Sequence, residues 1–220
     1  MTEATSSPKL SKRDIRSNEA DETRRNILEV AAREFADKGL AGARIDEIAD
    51  RTNSSKRMIY YYFGGKDELY RAVLEQSYAA IREREASENF DALPADEALR
   101  QHVMHTFDYH DRHPEFVRLV MNENIHRADH LKHVDGIKDR NKSVVAAIMA
   151  ILSRGVAAGL FRPDIDPVDL HMSISALAFY NVSNRHTFST IFERDIGSAD
   201  AVAERRERVA DMILAFVAAH

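Results

Sequence analysis

The sequence predicts an all-α protein: an N-terminal three-helix helix-turn-helix unit followed by a larger helical body. Three observations carry this. Apolar residues recur at spacings of three and four from Ile27 to Val217, glycine and proline interrupt that rhythm, and no segment alternates apolar and polar residues as a half-buried strand does. With 220 residues, 44% of them hydrophobic and 30% charged, the chain has enough material for a buried core and is read as two domains. No stretch approaches the roughly 18 unbroken apolar residues of a membrane span. The start lacks the apolar segment of an export signal and the chain has no cysteine, so a cytoplasmic protein without membrane attachment is expected.

The first twenty residues, Met1 to Ala20, are polar and carry Lys9, Lys12, Arg13 and Arg16, which predicts a disordered arm. Thr23 is placed to cap the first helix. Ile27, Ala31 and Phe35 form its buried stripe and Gly39 stops it. Ile45, Ile48 and Ala49 mark a short second helix, and Thr52-Asn53-Ser54 is the turn behind it. Ser55 caps a third helix that follows after so short a turn that the pair reads as a helix-turn-helix, whose second helix normally enters the major groove.

That third helix divides by face. Ile59 and Phe63, four residues apart, are its anchors. Lys56, Arg57 and Met58 occupy the first turn, where base edges are usually met. A guanidinium pairs bidentately with guanine, an ammonium reaches a base or a phosphate, and a thioether suits a thymine methyl. Tyr60 and Tyr61 offer hydroxyls to phosphate oxygens, while Tyr62 is expected to be half buried.

The charge balance agrees with this division. Lys9 to Arg71 holds 14 Lys and Arg against 12 Asp and Glu, whereas Ala72 to His220 holds 17 against 23. A weakly basic front and an acidic back fit a molecule that offers one end to a polyanion.

The body continues in helices. Lys66 starts a fourth that runs toward Glu88, with Asp67 and Glu68 at the positive end of its dipole. Ala95 to Arg112 is a fifth, ended by His113-Pro114, and Glu115 to Asn124 a sixth. Asp135 to Ala158 is a long helix striped by Val144, Ile148, Ile151 and Leu152, and Gly159 stops it. Asp166 caps the next, with Pro167 in its first position and Leu170, Ile174, Leu177 and Ala178 as its stripe. Val209, Met212, Ile213, Phe216 and Val217 mark the last.

Residues 23 to 70 resemble the DNA-binding domain of the TetR family of one-component transcriptional regulators. The resemblance rests on Gly39, Ile48-Ala49, Ser55, Ile59, Tyr60, Tyr62, Phe63, Lys66, Asp67 and Leu69 at the family's spacing. The chain departs from the pattern with Ala43-Arg44 at a usual Thr, Asn53 at the usual Gly of the turn and Tyr62 at a usual His. The resemblance implies a repressor released from its operator by a small molecule, with no cofactor and no catalysis. Residues 21–70 would be the DNA-binding domain and 71–220 the effector-binding and dimerisation domain. Implied partners are double-stranded palindromic operator DNA, an effector, and a second copy paired through the last two helices.

The DNA-contacting residues are then Arg44, Ser55, Lys56, Arg57, Met58, Tyr60, Tyr61 and Lys66, the last reaching a phosphate. Candidates for the effector pocket, chosen as apolar or aromatic residues near polar ones, are Phe107, His110, Phe116, Val117, Met121, Asn124, Ile125 and Tyr180.

Two alternatives come from histidine, since seven of the ten fall between His102 and His133. Glu123, His126, His130 and His133 would share a helical face and offer ligands to zinc or nickel, making a metal-responsive regulator. His102, His105 and His110-Asp111 with Asp164 or Asp166 are similar to the ligand set of all-helical metal-dependent phosphohydrolases, although no phosphate loop or nucleophile elbow accompanies them.

Overall fold

The computed structural model describes residues 12–52, 54–86 and 90–219. Among them it forms ten α-helices, one 3-10 turn and no strand beyond an isolated antiparallel bridge between Phe161 and Ala218. None of these helices is long and apolar enough to cross a membrane. The chain divides into two compact units, one up to Val73 and one from Leu74.

The first unit contains α1 (Lys12–Gly42), α2 (Ile45–Thr52), α3 (Lys56–Phe63) and the start of α4 (Lys66–Ala86). The expected arm is corrected in part: Met1 to Ser11 lie outside the described residues, but Lys12 to Ala20 are helical. Thr23 is accordingly not a cap. Its hydroxyl donates one turn back to the Glu19 carbonyl at 2.8 Å, as a threonine inside a helix does. Gly39 does break the helix, at φ 65°, and one further turn follows, closed by Ala43 N–H donating to the Gly39 carbonyl at 3.1 Å. The core collects Ile27, Ala31, Phe35, Ile48, Ile59 and Leu69, and Tyr70 sets its ring edge-on to Phe35 at 5.0 Å.

The second unit continues with α5 (Ala95–Arg112), α6 (Pro114–Ile125), a 3-10 turn (Leu131–His133), α7 (Ile137–Ala157), α8 (Pro167–Ser183), α9 (Arg185–Phe192) and α10 (Ala199–Val217). Helix α5 is central and packs on α7, α8 and α10. Leu99, Val103, Phe107, Ile148, Leu170, Ile174, Val209 and Ile213 form one buried cluster between them. Asp166 caps α8 as expected, its Oδ1 accepting from Val168 N at 2.7 Å and Asp169 N at 2.9 Å. The α7–α8 connection folds back so that the Phe161 ring leaves no room for a Cβ at Gly155. Helix α9 has no counterpart in the sequence reading, because it buries no side chain and so carries no stripe.

Candidate nucleic-acid interface

Helix α3 is short, and its ends are set by chemistry rather than length. The Ser55 hydroxyl oxygen accepts from Met58 N at 3.2 Å at one end, and Gly64 at φ 90° closes the other, its N–H donating to the Tyr60 carbonyl. Ile59 and Phe63 are buried as anchors, and the Arg24 guanidinium lies over the Phe63 ring at 5.4 Å. The preceding turn is pinned from α1, where Asn26 Nδ2 donates to the Thr52 carbonyl at 3.4 Å. Asn53 lies outside the described residues.

With its apolar side committed, α3 exposes Lys56, Arg57, Met58, Tyr60 and Tyr61. Tyr61 is 79% and Tyr60 51% exposed, so neither ring belongs to a packed core. Tyr62 is half buried and stands edge-on to Tyr61 at 5.4 Å. Lys56 pairs with Asp46 in the first turn of α2, which orients its ammonium. Arg44 is exposed immediately before α2, and its carbonyl accepts from Ile48 N at 3.2 Å. Lys66 is half buried, and its ammonium donates to the carbonyls of Ala43 at 2.8 Å and Ala41 at 3.3 Å. Two of its three N–H groups therefore tie the start of α4 to the segment before α2.

Sequence reading missed the ion network beneath this surface. Glu34, 1% exposed, pairs with Lys38 at 2.9 Å and Arg51 at 3.2 Å, and Glu47 pairs with both cations from α2. An acid between Ala31 and Phe35 on the buried stripe was the available signal.

Residues 27–73 match the family model for bacterial regulatory proteins of the tetR family, and residues 96–213 that for the tetracyclin repressor-like C-terminal domain. The chain belongs to the TetR family of transcriptional regulators. It is 36% identical over 203 residues to the HTH-type transcriptional repressor NicS of Pseudomonas putida, covering 92% of this chain and 96% of that one. The transcriptional regulator SCO4942 of Streptomyces coelicolor superposes with a TM-score of 0.67 at 26% identity, over 90% of this chain and 99% of that one. AibR, solved in complex with isovaleryl coenzyme A and operator DNA, shares the fold with a TM-score of 0.62 at 22% identity, over 89% and 97%.

In this TetR-family chain the eight effector candidates divide between buried and exposed positions. Phe107, His110, Phe116 and Val117 are buried together, with the His110 ring 5.9 Å from Phe116 and 6.1 Å from Phe179. Met121, Asn124 and Ile125 are on the outer side of α6, where Asn124 Nδ2 donates to its own helix at Val120. Tyr180 is also exposed and lines a separate cleft of about 310 Å³ with Asn181, Phe188 and Arg194.

Both histidine alternatives are corrected. Helix α6 ends at Ile125 and the chain then turns through left-handed Arg127 and Ala128, so the helical spacing from Glu123 to His133 does not exist. Glu123 instead holds that turn, its Oε2 accepting from His130 N at 3.2 Å and Leu131 N at 2.9 Å. The phosphohydrolase set is dispersed into structural roles. His110 Nδ1 donates to the Thr106 carbonyl at 2.7 Å, Asp111 pairs with Arg185, Asp164 lies 3.6 Å from Arg162 and Asp166 caps α8. Among the described residues no group of three acids or histidines is arranged to hold a metal. Both family models and the likeness to NicS make the protein a transcriptional regulator.

Proposed function

We propose that this regulator represses transcription as a homodimer, placing one α3 from each copy in successive major grooves of a palindromic operator and releasing it when a small molecule occupies the second unit. The observation that carries the reading is α3 itself. Its apolar pair is buried while Arg57, Tyr60 and Tyr61 stay exposed, the division that a groove-reading helix needs.

Arg57 reads a base edge, Lys56 and Met58 flank it, and Tyr60, Tyr61, Arg44 and Lys66 hold phosphates. Repression is favoured by NicS, a named repressor, and effector control by AibR, whose solved complex contains both an acyl-coenzyme A and operator DNA. Exposed apolar residues on α8 and α10, among them Val168, Met172, Met212 and Phe216, support pairing through these helices. Exposed Ile191 and Phe192 add α9 to that surface. Such a regulator works in the cytoplasm, where the DNA is.

The test is fluorescence anisotropy on genomic fragments that the purified protein retains. Binding should be sequence-selective, with two protein chains per site. Equal affinity for retained and scrambled fragments would refute the reading.

A further inference from the structure

Residues of α8, α9, α10 and the turn between the last two line a cleft of about 310 Å³ within the second unit. Packing forms it, because α8 packs on both α9 and α10. The turn is tied back to α9 through Ser189, whose carbonyl accepts from Arg194 N at 3.1 Å and whose Oγ accepts from Ile196 N at 3.4 Å. Arg194 and Ile196 join the lining from there.

The lining has three kinds of surface. Tyr180 from α8 and Phe188 from α9 supply an aromatic wall, their rings edge-on with centroids 6.3 Å apart. Helix α10 supplies charge: Ala201, Glu204, Arg205 and Arg208 follow i, i+3, i+4 and i+7 along one face. With Arg194 the cleft holds three guanidiniums against one carboxylate, and Arg208 engages that carboxylate by pairing with Glu204. Positive charge is left over. The third surface is Asn181, which is 5% exposed, yet its buried Nδ2 has no hydrogen-bond partner among the described residues. Native interiors rarely leave an amide donor unpaired, so one in the lining of a cavity points to a partner that the chain does not supply.

We propose that this cleft binds a small aromatic anion. Its ring lies against Tyr180 and Phe188, its carboxylate or phosphate is held by Arg194 and Arg205, and the Asn181 amide donates to one of its polar atoms. A guanidinium fork fits either oxyanion, and the volume, at the low end for ligand sites, suits one ring system with one charged group. Phe188 also stands 4.5 Å from the exposed Phe192, so the occupant adjoins the surface through which two copies would pair. Binding here is separate from DNA release and holds whether or not the same compound frees the operator.

Calorimetric titration of the full chain uses benzoate, 2-naphthoate and phenyl phosphate, with benzamide and 2-naphthamide as neutral counterparts and hexanoate as an anion without a ring. At least one aromatic anion should bind about tenfold or more tightly than the amides, and more tightly than hexanoate. Benzoate against phenyl phosphate decides which oxyanion the arginines take, and a preference for either supports the site. In Arg205→Gln, folded by circular dichroism, the preference for anions should disappear; in Tyr180→Ala the preference for a ring should. If Arg205→Gln does not fold, Arg194→Gln, on the exposed turn, carries the same comparison. No binding by any aromatic anion, equal binding of anions and amides, or both preferences intact in the folded variants overturns the proposal. So does an Arg205→Gln chain that titrates as the parent does but sediments as a different oligomer, because the cleft then belongs to a second copy.

Discussion

The Lys66 ammonium donates to the Ala43 carbonyl at 2.8 Å, joining the first residue of α4 to the last residue buried before α2. A side chain expected to serve DNA is thus also a staple within the first unit, and its third N–H is what remains for a phosphate. Lys66→Ala should lower the melting temperature, by about 1 kcal/mol of stability. It should also flatten the salt dependence of operator binding by about one unit. A lower melting temperature with an unchanged salt slope would assign Lys66 to stapling alone.

Arg57 is exposed on α3. Arg57→Ala should therefore leave the melting temperature unchanged, cost about 1–3 kcal/mol on the operator and relax the choice of one base pair. Selection of bound sequences by parent and variant checks this. A uniform loss at every position would make Arg57 a phosphate contact.

Tyr61→Phe keeps the ring that stands against Tyr62 and removes only the hydroxyl. All DNA should bind more weakly by about 1 kcal/mol with no change in unfolding. A fall in melting temperature would show that the hydroxyl serves the fold.

Ser55 accepts the Met58 N–H, so Ser55→Ala should cost α3 about 1 kcal/mol through loss of the cap. Ser55→Asp restores an accepting oxygen but brings negative charge toward phosphate. It should recover stability without recovering DNA affinity, and recovery of both would remove Ser55 from the interface.

Stability should rise as pH increases from about 4.5 to 6.5. In that window the unfolded chain still holds protons on His102 and His171, which burial pushes down to about 4 in the fold, so raising the pH favours the native state. Glu85 opposes this, because burial lets the folded chain keep a proton that the unfolded carboxyl has lost. Its contribution fades as pH climbs toward 7. Two histidines against one carboxyl leave a net rise, and His102→Gln should make it shallower in urea unfolding series. An unchanged slope in that variant would contradict the assignment.

The recognition helix was legible because Ser55, Ile59, Phe63 and Gly64 each follow a local rule of capping, spacing or turn geometry. The Asp166-Pro167 start of α8 was legible for the same reason. Lys12 to Ala20 misled because polar composition reads as disorder, although a helix needs no apolar stripe where it extends beyond its core. The Glu123 to His133 set misled because helical spacing was carried across a turn that no glycine or proline announces. The network of Glu34, Lys38, Glu47 and Arg51 stayed hidden for a different reason. It joins two helices, and only packing brings them together.

The proposed dimer presents two α3 helices to DNA. Hydroxyl-radical footprinting of a retained fragment tests it most directly. Two protected half-sites related by two-fold symmetry are expected, with centres about one helical turn, roughly 34–36 Å, apart. A single asymmetric protected patch, or protection that does not depend on sequence, would contradict it.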